Sequence, residues 1–296
     1  MTVDLSSLPA PDVVETLVFE AIVAEIKADF IARYPAGADV LDLESEPVVK
    51  LLEAFAYREL NLRARYNDEA RAVMLAFAEG ADLDHIGTTY YQEARLVVTP
   101  ADLDTIPPMP AVMELDADYR NRLALKPESY SVAGPRDAFR FHAISADGQI
   151  KDASVDSPEG GTTRVFVLTR TGNGMPTPTQ LATVTGALSG ETVRPLSESV
   201  VVAAPEIVNY SLDLALTFFA GPSTEVGLAA AQAALARFAA DSHRLDTDII
   251  RSAIDAAAHV AGVKKVVIAS PAADIVCTRG QAPYCTGINL TVAGVE

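Results

Sequence analysis

Residues 45–79 contain one proline, at the third position, and no glycine. Their apolar side chains recur mostly three, four or seven positions apart, which places them in one stripe along an α-helix. Ser45 is a suitable N-cap, Pro47 is tolerated in the first turn, and Gly80 is placed to end the helix. The sequence therefore predicts a single helix about 50 Å long, which exceeds the roughly 30 Å width of a small domain.

An apolar stripe of that length needs cover along its whole length. We expect part of it to contact another chain, which makes it a candidate subunit interface. The predicted interface residues are Leu51, Leu52, Phe55, Leu62, Tyr66, Val73 and Phe77. The alternative is that a second helix of the same chain, predicted over residues 13–34 with Asp12 as its cap, covers the stripe completely. The pattern alone does not decide between these two arrangements.

The composition is that of a globular protein, with 49% hydrophobic and 21% charged residues among 296. That length is enough for two or three domains with cores of their own. The first residues lack a basic region followed by an apolar run, and no apolar segment has membrane-spanning length, so we expect neither export nor membrane insertion. Lys and Arg number 23 against 40 Asp and Glu, and the resulting charge of −17 argues against nucleic-acid binding.

The secondary-structure pattern changes along the chain and predicts an α+β fold. A helical region with the long helix covers residues 1–95, and a Pro-rich connection, with four prolines between residues 100 and 110, covers 96–125. Two small α+β domains follow, a middle one over residues 126–205 and a C-terminal one over 206–296. Within the last domain, a break at Gly221-Pro222 separates a long strand from two helices, the second with Asp246 as its cap.

No convincing catalytic or cofactor site emerges from the motifs. The four histidines are not at helical ligand spacing, and the two cysteines form neither a CxxC pair nor a four-ligand zinc pattern. A GxSxG nucleophile motif is absent as well. The residues favour a non-enzymatic assembly component without a cofactor. The alternative is a metal- or cysteine-dependent enzyme in which His243, His259, Cys277 and Cys285 converge in the C-terminal domain.

A series of short sequence blocks follows a fixed order along the chain: residues 8–15, 44–47, 56–60, 70–76, 80–84, 131–135, 140–143, 193–196, 243–245, 271–276 and 284–286. In this order the blocks resemble the baseplate J-like family of P2-type contractile phage tails. Together they span nearly the whole chain, and the similarity is diffuse only over residues 157–188.

The resemblance implies a structural wedge protein of the tail baseplate. By that resemblance the protein forms a ring around the hub and relays the rearrangement that triggers sheath contraction. The implied partners are a second copy of the chain within the wedge, neighbouring wedges, a tail protein I-like subunit, a gp25-like or W-like wedge subunit, and sheath and hub proteins. The implied location is the virion, after assembly in the bacterial host cytoplasm. The same role in a non-phage contractile injection particle remains an alternative, and residues 100–110 are a candidate hinge.

Overall fold

The computed structural model describes residues 9, 11–195, 197–221 and 224–296. Leu8, Ala10 and Leu196, which belong to the sequence blocks, lie outside these residues, as does Pro222 of the predicted break. The chain divides into two compact units, Met1–Ala94 and Arg95–Glu296. The first unit is helical and the second combines helices with small sheets, so the predicted α+β class is confirmed.

The first unit is built around a pair of helices. Its elements are α1 (Phe19–Arg33), a 3-10 helix (Pro35–Val40), α2 (Pro47–Ala72), α3 (Gly80–Ile86) and a π turn (Gly87–Tyr91). Leu41, Val49 and Leu52 form a buried cluster against which Ile26 and Phe30 of α1 pack. The helix predicted from residue 13 therefore does cover one face of α2, although it begins only at Phe19.

The long helix α2 is shorter than predicted. It has 26 residues, about 39 Å at 1.5 Å per residue, with Glu46 rather than Ser45 at the N-cap position. It ends at Ala72, and a series of turns follows in which the Ala78 side chain is fully buried. Gly80, predicted to end the long helix, instead begins α3 with a φ of +52°.

The late start of α1 is explained by a contact with a residue distant in the sequence. The side-chain amide of Asn67 accepts a hydrogen bond from the Glu15 backbone N–H and donates one to the Glu15 carbonyl, both at 2.9 Å. Because these two backbone groups bond to a side chain, they do not enter the hydrogen-bond ladder of a helix. Asp12, the predicted cap, lies in a turn, and Val18 occupies the N-cap position.

The second unit begins with a hairpin formed by the Pro-rich segment. Strands β1 (Val97–Thr99) and β2 (Val112–Met113) pair antiparallel, and Asp102 and Met109 form a further bridge between them. Helix α4 (Asp116–Leu125) follows, so residues 96–125 contain regular structure besides the prolines. The hinge candidate at residues 100–110 closes this hairpin within the second unit, whereas the boundary between the units lies after Ala94.

The middle part of the second unit is a three-stranded sheet covered by two helices. Its elements are α5 (Arg136–Ser145), β3 (Ile150–Glu159), β4 (Thr162–Thr169), α6 (Pro178–Leu188) and β5 (Ser199–Ala203). The strand order is β3-β4-β5, with β3 antiparallel and β5 parallel to β4. Phe139 and Phe141 of α5 pack with Val165 and Val167 of β4 in its core.

The last part is also a three-stranded sheet covered by two helices, but its elements follow one another in a different order along the chain. Its elements are β6 (Glu206–Phe218), α7 (Thr224–Ser242), α8 (Arg251–Ala258), β7 (Val263–Ser270) and β8 (Gln281–Val295). The strand order is β7-β6-β8, with β8 parallel and β7 antiparallel to β6. Alternate residues of β6, from Leu212 to Phe218, are buried in a core shared with α7 and α8, as their spacing predicts.

The predicted cap of the second helix in this part is wrong. Asp246 has a φ of +57° and lies before α8, which begins at Arg251. The backbone N–H of Arg251 donates to the carboxylate of Asp274 at 2.8 Å. The carboxylate at this helix N-terminus therefore comes from a distant loop, which a search for a local cap residue cannot find.

Candidate subunit interface on the long helix

Helix α2 carries two apolar faces. Val49, Leu52 and Ala56 are buried on the face that packs in the first unit. Successive residues of an α-helix lie about 100° apart, so Leu51 and Phe55 lie on a second face, about 100° around the helix from the first. The two faces are adjacent, and the pairing with α1 covers only the first.

The second face is exposed along most of the helix. Its four residues on α2 are exposed to 55% at Leu51, 52% at Phe55, 48% at Leu62 and 58% at Tyr66. We call these four residues the α2 stripe. Half-exposed leucine, phenylalanine and tyrosine side chains in one row are typical of a surface that binds another protein.

The spacing within the α2 stripe indicates which kind of element could cover it. Leu51 and Leu62 are eleven residues apart, and so are Phe55 and Tyr66. Eleven residues make three turns at about 3.67 residues per turn, so the stripe stays on one side of the helix over about 22 Å. A partner helix that lies lengthwise beside α2 would cover all four residues.

The other three predicted interface residues lie elsewhere. Leu52 belongs to the buried cluster of the first unit, which makes it part of the chain's own core. Val73 is exposed but follows the end of α2, and Phe77 is half-buried in the turns before α3. Helical periodicity placed Val73 and Phe77 in the stripe because the predicted helix continued to residue 79, and it grouped Leu52 with Leu51 although the two side chains lie about 100° apart.

Charged residues fix the pairing of α1 with α2. The Arg63 guanidinium contacts the carboxylates of Glu59 at 2.5 Å and of Glu25, on α1, at 3.4 Å. The hydrogen bond with Glu59 raises the pKa of Arg63, and the neighbouring carboxylates act in the same direction. Together with the Asn67–Glu15 bonds, which sequence reasoning missed, these contacts hold the hairpin in the arrangement that leaves the α2 stripe exposed.

The residues of the alternative enzymatic site do not form one cluster. The His243 ring is hydrogen-bonded through Nδ1 to the Pro283 carbonyl at 2.7 Å, whereas His259 lies 3.6 Å from Asp255 on its own helix turn. Burial raises the pKa of the Cys277 thiol, which disfavours the nucleophilic thiolate.

The described residues contain neither a metal-binding cluster nor a membrane-spanning helix. Groups of three or more His, Cys, Asp or Glu side chains able to hold a metal ion do not occur among them. The helices of the described part of the chain include none with the length and apolar character needed to cross a membrane.

The sequence matches three family profiles. Residues 44–102 match the Baseplate J-like N-terminal domain, residues 131–204 the Baseplate J-like central domain, and residues 210–291 the Baseplate J-like protein C-terminal domain. The α2 stripe lies within the first of these segments.

Two proteins illustrate the similarity. The chain is 50% identical over 299 residues to baseplate protein J of Escherichia phage P2, with 99% of each chain covered. A chain in the cryo-EM structure of the anti-feeding prophage baseplate is 13% identical, with 60% of this chain and 44% of that chain covered at a TM-score of 0.42. From the three profiles and the near-complete match to the phage P2 protein, we conclude that this chain belongs to the baseplate J-like family.

Proposed function

We propose that the chain is a structural wedge protein of a contractile-tail baseplate, which forms the ring around the hub and relays the rearrangement that triggers sheath contraction. Membership of the baseplate J-like family supports a structural role rather than a catalytic one. The observation that carries the wedge assignment is the exposed α2 stripe, because a component of a multi-subunit wedge needs such a surface.

Burial of the α2 stripe would contribute part of the free energy that binds a subunit. Burying a Leu or Phe side chain fully contributes about 1.5–3 kcal/mol, so covering the exposed half of each contributes about 1 kcal/mol. Four such side chains then contribute about 4 kcal/mol before the costs of association, roughly a thousandfold in affinity.

The occupant that we propose for the stripe is a helix in a bundle within one wedge. The eleven-residue spacing supports a helical partner that lies along α2. The second copy of the chain and a tail protein I-like subunit are the two proposed sources of such helices. The gp25-like or W-like wedge subunit, the sheath and the hub are further proposed partners, and the proposed location is the virion baseplate after assembly in the host cytoplasm.

We propose that the second unit contacts neighbouring wedges. In its last sheet both outer strands, β7 and β8, have one unpaired edge in the described chain, and β8 is 15 residues long. A long strand edge offers backbone donors and acceptors to another chain. This supports a ring closed through the C-terminal part, with motion between the two units about the boundary after Ala94.

Charge substitutions on the stripe test the proposal. We expect Leu51→Asp and Phe55→Asp to abolish the complex with the second copy and the tail protein I-like subunit, because each places a carboxylate in the apolar contact. Tyr57→Asp is the matched control, since Tyr57 is 60% exposed on α2 but lies about 150° from the middle of the stripe.

Two measurements report the outcome. Light scattering after chromatography measures the mass of the co-expressed complex, and complementation of a phage that lacks the gene measures virion yield. Loss of both in the stripe variants, with both retained in Tyr57→Asp, is the expected result. Wild-type mass and virion yield in Leu51→Asp and Phe55→Asp would disprove the interface and with it this wedge assignment.

A further inference from the structure

A small cavity in the second unit is lined by an unusual number of charged side chains. It has a volume of about 30 Å³ and lies where α4, α5 and β3 meet the segment after α7. Its charged lining consists of Glu114, Asp118, Arg122, Arg140, Lys151, Asp152, Arg170 and Arg244. Five of these are cationic and three acidic, in a chain whose total charge is −17. The cavity is therefore a positive site in a negative protein.

The three carboxylates of the lining are already used in ion pairs. Glu114 contacts Arg122 at 2.9 Å, and the side chains of both are almost fully buried. Asp118 is paired with Arg170. Each of these acids has its own arginine, and Asp118 also attracts the Lys151 ammonium.

The third carboxylate, Asp152, has two hydrogen-bond donors. It accepts a hydrogen bond from Arg140 Nη2 at 2.8 Å and another from the backbone N–H of Leu245 at 3.1 Å. Arg140 is thus satisfied at one terminal nitrogen. Its Nε is buried and has no hydrogen-bond partner among the described residues.

Lys151 and Arg244 have no carboxylate within ion-pair distance in the described part of the chain. The Lys151 ammonium donates to the Ala240 carbonyl at 3.0 Å, which compensates no charge. Burial lowers the pKa of Lys151 and the positive charge of Arg244 adds to the effect, while the nearby Asp118 and Asp152 carboxylates act in the opposite direction. The cavity therefore contains excess positive charge together with an unused buried N–H group.

We infer that this cavity binds one small monovalent anion of the size of chloride, held by Arg244, Lys151 and Arg140 Nε. The lining has two more cations than carboxylates, and a bound anion would compensate this excess and accept a hydrogen bond from Arg140 Nε. The volume of about 30 Å³ has room for one small ion.

The position of the cavity suggests what the anion would do. Lys151 and Asp152 belong to β3 of the middle sheet, whereas Arg244 lies in the segment between α7 and α8 of the last sheet. An anion bound by Lys151 and Arg244 would connect the two sheets and stabilise the second unit. This role is independent of the proposed wedge function.

Thermal unfolding of the full-length chain tests the inference. In buffers of constant ionic strength, replacing gluconate with chloride should raise the unfolding midpoint in a saturable way, by about 2–4 °C at high chloride. We expect Lys151→Met and Arg244→Met to lose this chloride-specific rise. Lys265→Met, at an exposed lysine of β7, is the control and should retain it.

Diffraction from bromide-soaked crystals of the wild-type chain gives a readout that does not depend on variants folding. The expected result is an anomalous peak in the cavity, between Arg244 and Lys151. An empty cavity in bromide, a midpoint that chloride and gluconate affect equally, or a chloride-specific rise that survives in Arg244→Met would each overturn the inference.

Discussion

Asp152 is the residue whose loss should damage the second unit most clearly. Its side chain is only 5% exposed, and its two oxygens bond to different parts of the unit. One accepts from Arg140 of α5, and the other accepts from the backbone of Leu245, 93 residues further along the chain. Leu245 in turn packs with Leu168 and Ala282 in an apolar cluster shared by the two sheets. Asp152 therefore fixes the last sheet to the middle one.

The cost of Asp152→Ala follows from these contacts. Breaking a buried ion pair by removing one partner costs about 3–5 kcal/mol, and an unsatisfied buried N–H costs about 1–3 kcal/mol. Arg140 is 29% exposed and regains some hydration, so the low end of the first range applies. Part of the second cost is offset because the aspartate no longer has to be desolvated. We expect a loss of about 3–4 kcal/mol.

Asp156→Ala is the matched control, because Asp156 lies on the same strand. It contacts Arg279 at 3.7 Å, and both side chains are 39% exposed. An exposed pair of this kind contributes about 0–1 kcal/mol. The comparison separates the effect of losing the two Asp152 hydrogen bonds from the general effect of removing an acid from β3.

Urea denaturation in chloride-free buffer measures the difference. The midpoint of the second unit should fall by about 1 M in Asp152→Ala, given a slope of about 3 kcal/mol per molar for a unit of this size. The midpoint should change little in Asp156→Ala. Equal shifts in the two variants would refute the reasoning, because Asp152 would then act as an ordinary surface acid.

Three further predictions concern the second unit. Arg122→Leu leaves the Glu114 carboxylate buried without its partner, and urea denaturation should show a loss of about 3–5 kcal/mol. Burial lowers the pKa of His243, so the unfolded chain binds a proton more tightly than the folded chain, and stability falls as the pH drops below 6.5. In His243→Asn, the thermal midpoints at pH 7 and pH 5 should therefore differ less than in the wild type. Gly174 has a φ of +89°, and an added Cβ would lie 2.4 Å from Leu168 Cδ1, so Gly174→Ala should cost about 1–3 kcal/mol in urea denaturation.

Local pattern was sufficient to predict much of the fold. The alternation from Leu212 to Phe218 predicts a strand with one buried face, and β6 has that arrangement. The period of α2 predicts a helix, but it grouped the buried Leu52 with the exposed Leu51 and Phe55. The strand prediction succeeds because periodicity reports which side chains share a face, and burial of that face fixes the element.

Features that depend on distant residues could not be predicted in this way. Asn67 bonds to Glu15, 52 residues earlier, and this contact delays the start of α1. Asp274 caps a helix that begins 23 residues before it. In each case a single polar contact overrides a local preference, and only the folded chain shows which residues are paired.

The same limit applies to the candidate interface. Four of the seven predicted residues form the α2 stripe. Leu52 lies on the buried face of α2, and Val73 and Phe77 lie beyond its last residue, Ala72. The sequence pattern predicts an apolar surface, and binding of a subunit to that surface stays a prediction.

A reconstruction of the assembled particle at side-chain resolution tests the central claim most directly. The prediction is that apolar side chains of a helix from another chain cover Leu51, Phe55, Leu62 and Tyr66 in every copy. Solvent contact at these four residues in all copies would contradict the account, because the exposed stripe would then have no role in assembly.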